Sequence, residues 1–140
     1  QPRSRGLGDV YKRQLCILTI GVSSCDTDDD DIIYDSIIGE TWLGDLGFSD
    51  RYDYPLESGL YFEGNGLGHD DQVYYDDPTG KVVFSLPFRW EIWGGMLRID
   101  YGVDYPLFEI RNVYVTRDRL SGALYVDGEY DGEIILKRYY

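Results

Sequence analysis

Hydrophobic and polar residues alternate most cleanly between Lys81 and Trp93, where Val82, Phe84, Leu86, Phe88, Trp90 and Ile92 hold the even positions. Lys81, Ser85, Arg89 and Glu91 stand between them. A period of two means a strand with one face in a core and one in water. Gly94-Gly95 follows, a pair suited to a two-residue turn with positive φ angles, and Leu97, Ile99 and Tyr101 resume the alternation. A two-residue hairpin sets the register: Ile92 faces Leu97, Trp90 faces Ile99 and Phe88 faces Tyr101 on the apolar side. Glu91 then faces Arg98, and Arg89 faces Asp100, on the polar side. Both outer pairs are of opposite charge, which suits cross-strand neighbours.

Outward from that hairpin the same pattern predicts strands near Gly39 to Phe48, Gly59 to Gly64, Gln72 to Tyr75, Leu107 to Thr116, Arg119 to Val126 and Glu133 to Tyr139. Asp77-Pro78-Thr79-Gly80, Arg117-Asp118, Asp127-Gly128 and Asp131-Gly132 supply turn chemistry between them. A change of phase between Ile110 and Val113 predicts a bulge. The only helical spacing is at Ile32 to Ile38, where Ile33 and Ile37 fall four apart, enough for one short turn. Eight antiparallel strands without covering helices leave two open edges unless the sheet closes, so the expected fold is all-β: a small eight-stranded antiparallel up-and-down barrel over residues 37–140. A two-sheet β-sandwich is the alternative. Trp42, Phe62, Phe84, Phe88, Trp90 and Tyr101 are bulky enough to fill a short barrel, although a barrel of this size also has room for one small ligand.

The N-terminal part reads differently. Asp9-Val10-Tyr11-Lys12-Arg13-Gln14 resembles the translation of a sequencing adapter, one frame of a transposase mosaic end, so residues 1–14 are set apart from the fold as a non-native segment. Leu15 to Val22 is an apolar run of eight residues, within the roughly 7–15 of a signal-peptide core and short of the roughly 20 needed to cross a bilayer as a helix. Val22-Ser23-Ser24-Cys25 resembles a bacterial lipobox. Residues 15–24 are therefore expected to be a signal-peptide remnant and Cys25 the lipidated first residue of the mature chain. That maturation removes Cys16 and leaves no free thiol and no disulfide.

Charge narrows the partners. Residues 25–140 keep nine of the 13 Lys and Arg but 25 of the 26 Asp and Glu, a net of −16. No clustered cations are available for phosphate contacts, so nucleic acid is not an expected partner. Asp26-Thr27-Asp28-Asp29-Asp30-Asp31 is a like-charge run that predicts an extended acidic tether over residues 25–36. Acids placed directly after a lipidated cysteine resemble the export signal of Bacteroidetes-type surface lipoproteins. An aspartate at that place also resembles an inner-membrane retention signal of other Gram-negative bacteria. The expected location is the outer membrane at the cell surface, with the periplasmic face as the alternative.

Ile37-Ile38-Gly39-Glu40-Thr41-Trp42-Leu43-Gly44-Asp45, Tyr61-Phe62-Glu63-Gly64-Asn65-Gly66-Leu67-Gly68, Phe88-Arg89-Trp90-Glu91-Ile92 and Leu120-Ser121-Gly122 follow one another along the chain. In that order they resemble the lipocalin-like domain of Bacteroidetes-type lipoproteins. The resemblance implies that Trp42 on the first strand meets Lys137 or Arg138 on the last in a barrel-closing cation–π contact. This chain departs from the lipocalin pattern in having two residues between glycine and tryptophan, and it lacks the Thr-Asp-Tyr loop signature.

No catalytic constellation is expected. The single histidine, His69, is placed by the pattern in a Gly-rich polar loop from Gly64 to Asp71, as a plain connection or as an imidazole with carboxylate neighbours. No nucleophile elbow, cofactor motif or metal-ligand spacing accompanies it. Trp93, on the outward face of the Gly94-Gly95 hairpin, either packs on Met96 or joins Tyr74 and Tyr75, or Tyr52 and Tyr54, as a stacking surface. The expected role is a noncatalytic, lipid-anchored binding protein for a glycan, a small apolar ligand or another envelope protein. A hydrolase using loop carboxylates and a purely structural envelope component are the alternatives. Two buried carboxylates facing each other would favour the hydrolase.

Overall fold

The computed structural model describes residues 26–140, with side chains from Asp29 onward. Residues 1–25, and with them the adapter-like segment, the signal remnant and Cys25, lie outside the described residues. Among the described residues one helix, α1 (Asp26–Ile37), precedes β1 (Thr41–Gly44), β2 (Leu56–Phe62), β3 (Leu67–Tyr74), β4 (Val82–Trp93), β5 (Met96–Asp100), β6 (Leu107–Val115), β7 (Arg119–Val126) and β8 (Glu129–Tyr139). The strands pair antiparallel in chain order and β8 returns to β1, closing an eight-stranded up-and-down barrel. Closure leaves no sandwich.

The central hairpin carries the expected register from Arg89↔Asp100 to Trp93↔Met96. It stops there: Gly102, at φ +112°, turns the chain away, and Phe88 and Tyr101 meet only as edge-to-face rings at 5.5 Å. The expected bulge in β6 is present, with the register shifting between Arg111 and Tyr114 and Asn112 at φ +55°.

Four elements differ from expectation. β1 is Thr41–Gly44 alone, and residues 45–48 belong to the loop that follows it. β3 begins at Leu67, so His69 and Asp70 belong to a strand and not to a loop. Asp131-Gly132 is a bulge inside β8, since Leu124 pairs with Gly132 and Tyr125 with Tyr130. The acidic segment expected to be extended is helical as far as Ile37. Ile33 and Ile37 fall one turn apart and are buried, and the acids fill the N-terminal half, where the helix dipole favours negative charge. Gly39, at φ +73°, then stops the helix, and its N–H donates to the Phe62 carbonyl.

The alternating strand directions give the barrel two unlike ends. The helix end carries α1 and the turns at 63–66, 94–95 and 116–118. The loop end carries the connections 45–55, 75–81, 101–106 and 127–128. Between them the interior is filled: Trp42, Leu60, Phe62, Leu97, Ile99, Ile110, Leu120 and Leu136 are fully buried in one cluster with Phe88, Trp90, Tyr101 and Phe108. Phe84 does not join it. It lies on the inward phase of β4, but on a stretch that overhangs the barrel, and is 46% exposed.

Candidate binding site

The helix end is plugged. Ile33 and Ile37 enter the core, the Tyr34 ring lies 5.3 Å from that of Trp90, and the Tyr34 hydroxyl donates to the Gly64 carbonyl. The Trp42 indole N–H donates to the Ile37 carbonyl at 3.3 Å, satisfying an acceptor that the end of the helix leaves open. Asp30 clamps the arrangement: its two carboxylate oxygens accept the backbone N–H groups of Gly94 and Gly95 at 2.8 and 2.7 Å.

Trp42 and Arg138 are cross-strand partners, as the lipocalin-like pattern implies. The contact differs in kind. The Arg138 guanidinium pairs with Glu40, donates to the Arg117 carbonyl and lies over the Tyr140 ring at 5.3 Å. A buried indole already bonded to the helix leaves the cation to the rim acid, and Lys137 instead stands opposite Leu43 and Arg119.

The loop end is covered by residues 45–55. Leu46 is buried and Phe48 packs on Tyr101, Phe108 and Tyr105 at 5.2, 5.5 and 6.2 Å. Asp50 pins this loop to β3, accepting the Tyr74 hydroxyl at 2.6 Å and the N–H groups of Tyr52 and Tyr54. The Tyr74 bond is the main reason its carboxyl sits below the ordinary value. Tyr52, Tyr54, Tyr75, Val82, Phe84, Val103 and Tyr105 remain exposed on the loops and strand ends of this side.

Trp93 is not among them. It closes the β4–β5 turn at the helix end, 38% exposed and opposite Met96. Eleven residue steps of β4 separate it from Val82, about 36 Å at 3.3 Å per residue. The structure therefore brings Tyr74 and Tyr75 together with Tyr52 and Tyr54, and leaves Trp93 at the opposite end.

Beneath Phe48 lies a polar cluster that the sequence pattern did not single out. Asp70 is fully buried, and its carboxylate accepts Ser58 Oγ, Gln72 Nε2, the Tyr101 hydroxyl and the Gly59 N–H at 2.8 to 3.1 Å. Burial pushes this carboxyl above its ordinary value, the four donors opposing the shift. The Tyr101 hydroxyl is also pushed up, first by burial and then by the Asp70 charge. All four partners are neutral donors, and among the described residues no second carboxylate is bonded into the cluster. The cluster ties β2, β3 and the end of β5 together, and the Ser58 hydroxyl beside the carboxylate is sealed from solvent.

On the outer wall, where β5 leaves β4, Leu67, Pro87, Arg89, Asp100 and Gly102 surround a groove of about 360 Å³ floored by Phe88 and Tyr101. Asp100 turns its carboxylate to the Gly102 N–H at 2.9 Å, so the expected Arg89–Asp100 pair holds in register but not as an ion pair. The other expected pair forms: Arg98 meets Glu91 at 3.2 Å and Glu109 at 3.3 Å, and Arg111 joins Glu109 at 2.7 Å. His69 stacks on Tyr61 at 5.2 Å, with Asp71 and Glu63 at 3.7 and 4.0 Å on the wet face. Among the described residues no group of three or more His, Cys, Asp or Glu is placed to hold a metal ion.

Compared with protein-family models, curated proteins and solved structures, the chain matches none.

Proposed function

We propose that this chain is a noncatalytic, lipid-anchored binding protein of the outer membrane, displayed at the cell surface through Cys25. The loop end of the barrel engages a glycan, a small apolar ligand or another envelope protein. The separation of the two ends carries the reading. Cys25 precedes Asp30 by five residues, a reach of at most about 18 Å, and Asp30 is bonded to the β4–β5 turn. A lipid on Cys25 therefore keeps the plugged end next to the bilayer. The exposed tyrosines of the loop end point away from it. Among the described residues no helix is long and apolar enough to cross a membrane. Two or more acyl chains make lipid attachment stable. The filled interior favours recognition by the rim over enclosure of a ligand.

Metabolic labelling with a tagged fatty acid tests the anchor: the wild-type chain takes up label and Cys25→Ala does not. Equal labelling would remove the membrane from this reading. Orientation is tested by thiol-attached fluorophores at Arg117→Cys and Pro78→Cys in vesicles carrying a lipid-bound quencher. The position at the helix end is quenched and the one at the loop end is not. The reverse pattern overturns the orientation.

A further inference from the structure

The geometry points to the open edge of β4 as a site where an extended, cationic segment of a partner protein adds a strand. This inference rests on the binding role proposed above and names the partner's chemistry. β4 has 12 residues and β5 has five. Pairing between them ends at Arg89↔Asp100, so among the described residues Val82 to Phe88 has β3 on one side, with a bulge at Val83, and no strand on the other.

Strand chemistry decides what that edge offers. The Trp90 N–H donates to the Gly66 carbonyl, on the β3 side. Successive residues of a strand direct their backbone groups to opposite sides, so Pro87 and Ser85 face the open side. Ser85 presents both N–H and C=O, and Pro87 presents C=O alone. The missing donor at Pro87 and the charge of Lys81 are means by which edges avoid indiscriminate pairing. The groove at Arg89 and Asp100 begins where β5 departs, and it continues the track that β5 would have followed. Val82 and Phe84, 45% and 46% exposed, flank the bulge at Val83 and put an apolar group on each face of that track.

Charge selects the occupant. Asp76 and Asp77 are on the β3–β4 connection, Asp104 is on the β5–β6 connection and Asp100 ends β5, against Lys81 and Arg89. A second copy of the chain would bring together two bodies that each carry a net −16 over residues 25–140. A lysine- or arginine-bearing strand of about seven residues matches the length of the open edge and the sign of its surroundings.

The test uses the full chain, with Cys25→Ala to keep it free of lipid, and a synthetic seven-residue peptide alternating lysine and valine. We expect the peptide to slow hydrogen exchange of the Ser85 N–H and to bind more weakly as salt rises. Its N-methylated form should not bind. Ser85→Pro, which removes a donor facing away from β3, should weaken binding about tenfold, the cost of roughly one backbone hydrogen bond. Ser85→Ala, which keeps the backbone N–H, should bind as the wild type does, and thermal melts establish that both variants fold. Unchanged exchange at Ser85, or equal binding by Ser85→Pro and Ser85→Ala, overturns strand addition. Equal binding of a glutamate–valine peptide overturns the choice of a cationic partner. Spectral shifts confined to residues 45–55 overturn the edge while leaving the loop end as the binding face.

Discussion

Replacing Asp30 with alanine removes two hydrogen bonds that join the N-terminal helix to a turn more than 60 residues further along the chain. A backbone N–H donated to a carboxylate contributes about 1.5–3 kcal/mol when shielded. Asp30 is half-buried and Gly94 is exposed, so solvent screening reduces the pair to about 1.5 kcal/mol in total. For a domain of this size that lowers the melting midpoint by about 6 °C. Calorimetry reads the midpoint, and amide exchange reads the contact itself, because the Gly94 and Gly95 N–H groups lose their acceptor and exchange faster. Asp30→Asn turns one acceptor into a donor facing an N–H, so it recovers part of the loss at most. Asp31→Ala is the control, since that exposed side chain takes no part in the clamp. The reasoning fails if Asp30→Ala melts with the wild type, or if Asp31→Ala loses as much.

Three further outcomes follow from the barrel. Gly68→Ala places a Cβ 2.5 and 2.6 Å from two atoms of the Phe88 ring, and closer still to the Tyr61 carbonyl oxygen; urea denaturation should show a loss of about 1–3 kcal/mol, and a wild-type midpoint would contradict the packing. Ile37→Ala empties a fully buried site beneath the helix and should cost about 2–5 kcal/mol, with a smaller loss meaning that the plug is loosely seated. Burial raises the folded-state value of Asp70, so its proton-linked stabilisation is complete below the ordinary aspartate range and is lost as pH rises through the folded value. Denaturation at a series of pH values should show that decline in the wild type and not in Asp70→Asn; parallel profiles would show that Asp70 does not titrate this way.

What could be read from the chain depended on whether apolar meant inward. It did in the hairpin around Gly94-Gly95, where alternation and a turn of fixed length gave every pair from Arg89 to Trp93. It did not in β3, whose inward positions are Gly68, Asp70 and Gln72. A glycine that makes room for Phe88 and a carboxylate satisfied by four donors look the same as a loop until the neighbouring strands are in place. The β8 bulge at Asp131-Gly132 looks like a turn because it repeats the Asp-Gly pair of the true turn at Asp127-Gly128, and Gly132, like Gly128, takes a positive φ. The acids of α1 conceal a helix whose clamp lies on a distant turn. Two features of the site were nonetheless available. Strands that alternate in direction place Trp93 and Tyr74 at opposite ends, and the unequal lengths expected for β4 and β5 already implied an unpaired stretch.

Closing the barrel pairs Thr41 with Tyr139, almost the whole length of the described chain apart. Contacts so distant in sequence make folding slow, because chain entropy is surrendered before the closing contacts repay it. β1 precedes β8 and must wait for it, and α1 must wait for the β4–β5 turn. Until β8 is in place, β1 therefore keeps an open edge, and the barrel is exposed to wrong pairing for as long as closure takes.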